Sequence, residues 1–72
     1  METSEKLRIS LKAARVNADM TQKEAAERLG VCVSTLQHYE TGDTIPDWDM
    51  VRRIEEVYGL SADHIFFDRN SA

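Results

Sequence analysis

The stretch from Thr21 to Gly30 is bounded as a helix at both ends, and a new apolar periodicity starts within two or three residues of its stop. Thr21-Gln22-Lys23-Glu24 has the spacing of a capping box. The Thr21 hydroxyl can accept from the Glu24 amide while the Glu24 carboxylate accepts from the Thr21 amide. Met20 and Ala25 stand at hydrophobic-staple spacing, Ala25, Ala26 and Leu29 give a thin apolar face, and Gly30 supplies a left-handed stop. From Val31-Cys32-Val33-Ser34 a second helix follows, with Val33, Leu36 and Tyr39 at i, i+3 and i+6 and Thr41-Gly42 at its end. Two helices joined this tightly must pack on each other. The pattern is a helix-turn-helix over about residues 21–41.

The flanks read as further short helices. Ser4 is the expected N-cap of the first, with Glu5 in its opening turn, Leu7, Leu11 and Ala14 facing the core, and Asn17-Ala18-Asp19 as its end. Ile45-Pro46-Asp47 restarts the chain with Asp47 as cap, and Trp48, Val51, Ile54, Val57 and Tyr58 form an apolar stripe that stops at Gly59. Ser61 caps a fifth helix, stapled from Leu60 to Ile65 and ending near Phe67-Asp68. No segment alternates as a strand does. The expected class is all-α: a compact five-helix bundle forming one domain over about 4–68, with residues 1–3 and 69–72 as frayed ends.

Seventy-two residues support a core worth only about 3–5 kcal/mol, so such a chain usually needs a staple or a partner. Cys32 is the only cysteine, which excludes an internal disulfide and a cysteine-based zinc site and suggests a reducing compartment. There is no long apolar run, and the acidic start Met1-Glu2-Thr3-Ser4-Glu5 is unlike a signal peptide, so no membrane partner and a cytoplasmic location are expected. His38 and His64 lack companion ligands, so no metal is implied. The sequence contains no nucleophile–base set, paired carboxylates or glycine-rich phosphate loop. No enzymatic activity, cofactor or small-molecule ligand is expected.

Residues 20–46, Met-Thr-Gln-Lys-Glu-Ala-Ala-Glu-Arg-Leu-Gly-Val-Cys-Val-Ser-Thr-Leu-Gln-His-Tyr-Glu-Thr-Gly-Asp-Thr-Ile-Pro, resemble the phage repressor/Cro (XRE-type) DNA-binding domains, whose fold is lambda-repressor-like. The similarity continues through Val51-Arg52-Arg53-Ile54-Glu55 and Tyr58-Gly59-Leu60-Ser61, covering about residues 5–67. The resemblance implies a third helix lying in the major groove. Carried over by position, Val33, Ser34, Gln37 and His38 are the expected base contacts. Val33 suits a thymine methyl, Ser34 either kind of base edge, Gln37 adenine, and His38 guanine or a phosphate. Solvated residues on an exposed helix face are the competing reading of the same positions. Gln22 matches a phosphate-contacting position at the start of the second helix, where free amides favour an anion. Thr41 and Thr44 are further phosphate candidates, through hydroxyls and backbone amides. Arg15 and Glu40 match a family pair that forms a largely buried, structural ion pair.

Two positions depart from the family pattern. Cys32 stands where a hydroxyl usually caps the reading helix; a thiol caps poorly, and a redox-sensing role is the alternative to simple drift. Asp43 stands near a position that is often basic, which weakens the loop as a phosphate contact.

The resemblance implies a double-stranded DNA-binding transcriptional regulator, expected to act as a repressor and as a homodimer on a roughly palindromic operator. Ile65, Phe66 and Phe67, with Trp48 or Tyr58, are candidates for the dimer interface, and core packing is the competing role for the same residues. The charge sets the alternative. Nine Lys and Arg face thirteen Asp and Glu for a net −4, and residues 31–44 hold no Lys or Arg. That balance, with Asp47, Asp49, Glu55, Glu56, Asp63 and Asp68, also suits a protein-interaction module of the same fold, antitoxin-like or an anti-regulator, that meets a basic partner.

Overall fold

A computed structural model describes residues 8–66, and it is mostly helical. In chain order it comprises a two-residue strand β1 (Ile9–Ser10), helices α1 (Leu11–Asn17), α2 (Gln22–Leu29), α3 (Val33–Thr41) and α4 (Trp48–Tyr58), a single 3-10 turn at Ala62–His64, and a strand β2 (Ile65–Phe66). Among the described residues no helix is long and apolar enough to cross a membrane.

Local chemistry accounts for most boundaries. Ser10 caps α1 by accepting from the Ala13 amide at 3.0 Å. Thr21 and Glu24 form the reciprocal box at 3.1 and 2.9 Å. Gly30 ends α2 at φ +79°, a conformation that costs a residue bearing Cβ about 1–2 kcal/mol. Asp47 accepts from the Met50 amide at 2.9 Å to open α4.

The core gathers one stripe from each helix: Leu11 and Ala14 from α1, Ala25, Ala26 and Leu29 from α2, Leu36 from α3, and Ile54 and Tyr58 from α4. Met20, from the connection between α1 and α2, and Ile65, from β2, close it. Helix α2 lies at the centre and packs on both α3 and α4, and Ala25 and Ala26 are small enough to let those helices approach. From α4, Arg53 Nη1 donates to the Leu29 carbonyl at 3.2 Å, satisfying an acceptor that the end of α2 leaves open.

Several expectations need correcting. The helical class fits, but four α-helices are present among the described residues, and the segment after Ser61 is a 3-10 turn followed by a strand. Ser61 does cap that turn, accepting from the Asp63 amide at 3.2 Å, and Glu55 accepts from the Ala62 amide at 2.8 Å. The turn then opens into extended backbone because Ile65 pairs in parallel with Ile9, and Phe66 with Ser10. Helix α1 begins at Leu11 because Ser10 supplies its cap and Ile9 belongs to that pairing. Ser4, Leu7, Phe67 and both expected frayed ends lie outside the described residues.

Trp48 does not join the core stripe and is 70% exposed. Six residues before Ile54, it sits about 120° away around the helix. Ile65 and Tyr58, by contrast, are buried, so neither is available as an intersubunit surface.

Candidate nucleic-acid interface

Helix α3 divides sharply between inside and outside. Leu36 is 0% exposed and locks the helix to the core, while Val33, Ser34, Gln37 and His38 are all exposed. At 3.6 residues per turn, 33, 34, 37 and 38 share one side, so their exposure makes a continuous ridge. Among the described residues no lysine or arginine stands on it.

Behind the ridge lies a chain of polar contacts, buried at its Arg15–Glu40 end and exposed at Gln37. Arg15 Nε and Glu40 Oε2 are 2.7 Å apart, with side chains 9% and 4% exposed, and Arg15 Nη2 reaches Glu40 Oε1 at 3.4 Å. Arg15 Nη1 donates to the Met20 carbonyl at 2.9 Å, so the guanidinium ties α1 to α3 and to the entry of α2. Glu40 Oε1 also accepts from Gln22 Nε2 at 3.0 Å, and Gln22 Oε1 accepts from Gln37 Nε2 at 3.3 Å. The first residue of α2 thus bridges the buried ion pair to the outward ridge. A side chain fixed at both ends of its amide meets a ligand already oriented.

Tyr58 lies against the same cluster. Its hydroxyl is buried without a hydrogen-bond partner among the described residues. Burial pushes its pKa up from 10.0 to about 12; the Glu40 charge adds to the rise and Arg15 opposes it.

The C-terminal end of α3 folds back on itself. Gly42 takes φ +86°, and the His38 carbonyl accepts both from the Thr44 amide at 3.2 Å and from Thr41 Oγ1 at 3.3 Å. The Thr44 amide, an expected phosphate donor, is therefore already engaged, because the last helical carbonyls need donors of their own. His38 Nδ1 lies 3.1 Å from Asp43 Oδ2. The sequence does not pair these two residues, since a separation of five falls on no common helix face. Their signal was the Gly42 reversal between them. The Glu40–Gln22–Gln37 relay was missed for a different reason: it joins residues far apart in the chain. At the other end of α3, Cys32 is exposed and makes no side-chain capping bond.

The profile of the helix-turn-helix family matches residues 11–65, which takes in all four α-helices and their connections. The chain belongs to that family, in its XRE-type form. This helix-turn-helix domain is also similar to the HTH-type transcriptional regulator ImmR of Bacillus subtilis (strain 168), 40% identical over 55 residues. The alignment covers 76% of this chain but 43% of the regulator, so the domain corresponds to less than half of that relative's length. No solved structure matches the domain.

Proposed function

We propose that this chain is a sequence-specific, non-catalytic double-stranded DNA-binding transcriptional repressor acting as a homodimer on a roughly palindromic operator. The observation that carries the reading is the exposed ridge of Val33, Ser34, Gln37 and His38 on a helix whose opposite side, at Leu36, is fully buried. Such a ridge, held rigidly by its own core, is what entry into a major groove requires. In this reading Val33, Ser34, Gln37 and His38 face base edges. Gln22 meets a phosphate at the positive end of α2, the Thr44 hydroxyl lies beside the DNA backbone, and Thr41 reaches a phosphate by turning its hydroxyl away from the His38 carbonyl. Arg15 and Glu40 hold the arrangement from inside. Membership of the helix-turn-helix family and the similarity to a transcriptional regulator both favour it.

In a symmetric dimer the two copies of α3 fall in successive major grooves, about 34–36 Å apart. Of Trp48, Tyr58 and Ile65, the dimer-contact candidates whose side chains are described, Trp48 has the exposure to serve.

The net charge of −4 favours a second reading, a protein-interaction module that meets a basic partner. Two of the acids offered for that surface already work inside the fold: Asp47 caps α4 and Glu55 holds the Ala62 amide. Selection from a random duplex library, followed by salt titration of the enriched site, separates the two. A repressor enriches a two-fold symmetric site, and its log affinity falls with log salt by about 0.9 per neutralised phosphate. Enrichment of nothing, with no duplex bound at low salt, leaves the interaction module.

A further inference from the structure

We infer that Asp43 is a positioning residue for base reading: it fixes the ring of His38 so that a bare Nε2 faces the groove and selects a base bearing an amino group, adenine or cytosine. The inference rests on the DNA-binding reading above and adds to it the identity of the base.

The geometry begins with the backbone. The Thr44 amide and Thr41 Oγ1 both bond to the His38 carbonyl, and Gly42 at φ +86° lets the chain turn back between them. Asp43 is bracketed by these two anchors, and its Oδ2 is brought to 3.1 Å from His38 Nδ1. The side chains of His38 and Asp43 are 57% and 67% exposed. A pair this open to water adds little to stability, so its structural consequence is the orientation of the imidazole.

Orientation carries chemical content. An ionised carboxylate only accepts, so Nδ1 must hold the hydrogen, and in a neutral imidazole Nε2 is then left as an acceptor. His38 Nε2 has no partner among the described residues. In the major groove, donors to such an acceptor are the N4 amino group of cytosine and the N6 amino group of adenine, whereas guanine presents N7 and O6, both acceptors. Asp43 thereby turns His38 away from the guanine contact that the residue type alone suggests. Free of Asp43, the ring can donate from Nε2 instead.

Two measurements at about pH 8.5, where an ordinary imidazole is neutral, test this. The first is duplex selection with the full chain as wild type, D43A, D43N and H38A. Wild type is expected to prefer adenine or cytosine at one symmetric position, and that preference vanishes in H38A. In D43A the preference falls about fivefold, the factor for one hydrogen bond, or passes to guanine or thymine, with the rest of the site unchanged. D43N keeps it, because the amide oxygen accepts from the same Nδ1. The second is ring nitrogen-15 NMR on the free proteins: Nδ1 protonated in wild type and D43N, mainly Nε2 in D43A. Guanine at the His38-dependent position overturns the inference. So does an unchanged D43A preference, or an Nε2-protonated ring in wild type; in each case the DNA-binding reading stands. A wild type that enriches no site removes that reading and this inference together.

Discussion

Gln22 Nε2 donates to Glu40 Oε1 at 3.0 Å, so the first residue of α2 leans on the same carboxylate that neutralises Arg15. Three helices meet at this carboxylate. Arg15 comes from α1, Gln22 from α2 and Glu40 from α3, and the last link, from Gln22 to Gln37, emerges on the exposed ridge. Structural support and the proposed DNA-facing surface are therefore one hydrogen-bonded unit, and changes inside the fold should register outside it.

Glu40→Gln should be strongly destabilising. Arg15 is buried and has one carboxylate partner among the described residues, so removing that charge strands a guanidinium in the interior, at a cost of about 3–5 kcal/mol. Urea unfolding of the variant should show the loss as a lower midpoint with little change in slope. Replacing both partners, Arg15→Met with Glu40→Leu, should recover much of it, although the Met20 carbonyl then loses its donor. A Glu40→Gln midpoint equal to wild type would refute the structural role.

Cys32→Ser should stabilise the domain by about 1 kcal/mol. The backbone at Cys32 already has cap geometry, φ −75° and ψ 156°, but the thiol makes no bond to the first turn of α3. A hydroxyl in the same place can accept from that turn, and good caps exceed poor ones by about 0.5–2 kcal/mol. Thermal unfolding under reducing conditions reads the difference. A fall in Tm would show that Cys32 contributes something a hydroxyl cannot replace.

The pH dependence of stability should report Tyr58. Its folded pKa of about 12 exceeds the ordinary 10.0, chiefly through burial and then through Glu40. A group with a raised folded pKa binds its proton more tightly in the folded state. Its contribution is full below pH about 10 and declines as pH rises toward about 12, by about 2–3 kcal/mol in all. Tyr58→Phe should abolish this part of the alkaline slope. Because the hydroxyl is buried and unpaired among the described residues, the same variant should be as stable as wild type or more so at neutral pH. An unchanged alkaline slope would mean that the hydroxyl ionises as freely folded as unfolded.

How legible the fold was in the chain follows the range of the forces involved. Thr21 with Glu24, Asp47 with Met50 and Gly30 with its left-handed φ act within a few residues, and their residue types announce them. Leu36 inside with Gln37 and His38 outside follows from the helical repeat. The parallel pairing of Ile9 with Ile65 joins the two ends of the described chain in strands of two residues, too short to show any alternation. That is why the sequence pattern carries α1 too far toward the N-terminus and makes the last segment look like a helix. Trp48 fits the three-residue spacing of the α4 stripe, but each step of three falls about 60° short of a full turn, so six residues before Ile54 it has left the buried face. In the site, residue types pointed to the ridge, but neither the amide relay through Gln22 nor the Asp43–His38 pair has a periodic signature.

Gln22→Ala and Gln37→Ala should separate positioning from reading. If Gln22 meets a phosphate, its loss weakens binding to every duplex by a similar factor, because phosphate contacts carry no sequence information directly, and leaves the salt slope unchanged, because an uncharged amide neutralises no phosphate. If Gln37 bonds adenine at N6 and N7, its loss relaxes preference at one position per half-site, by about 1–3 kcal/mol, and leaves the others as they were. The 3.3 Å bond from Gln37 Nε2 to Gln22 Oε1 adds a condition. Freeing Gln37 from its neighbour should also blur that one position in Gln22→Ala, so the double variant should lose less than the sum of the single losses. Fluorescence anisotropy with the selected duplex and its single-base variants measures all three. Strictly additive losses would mean that the two glutamines act independently on DNA despite their contact in the free protein.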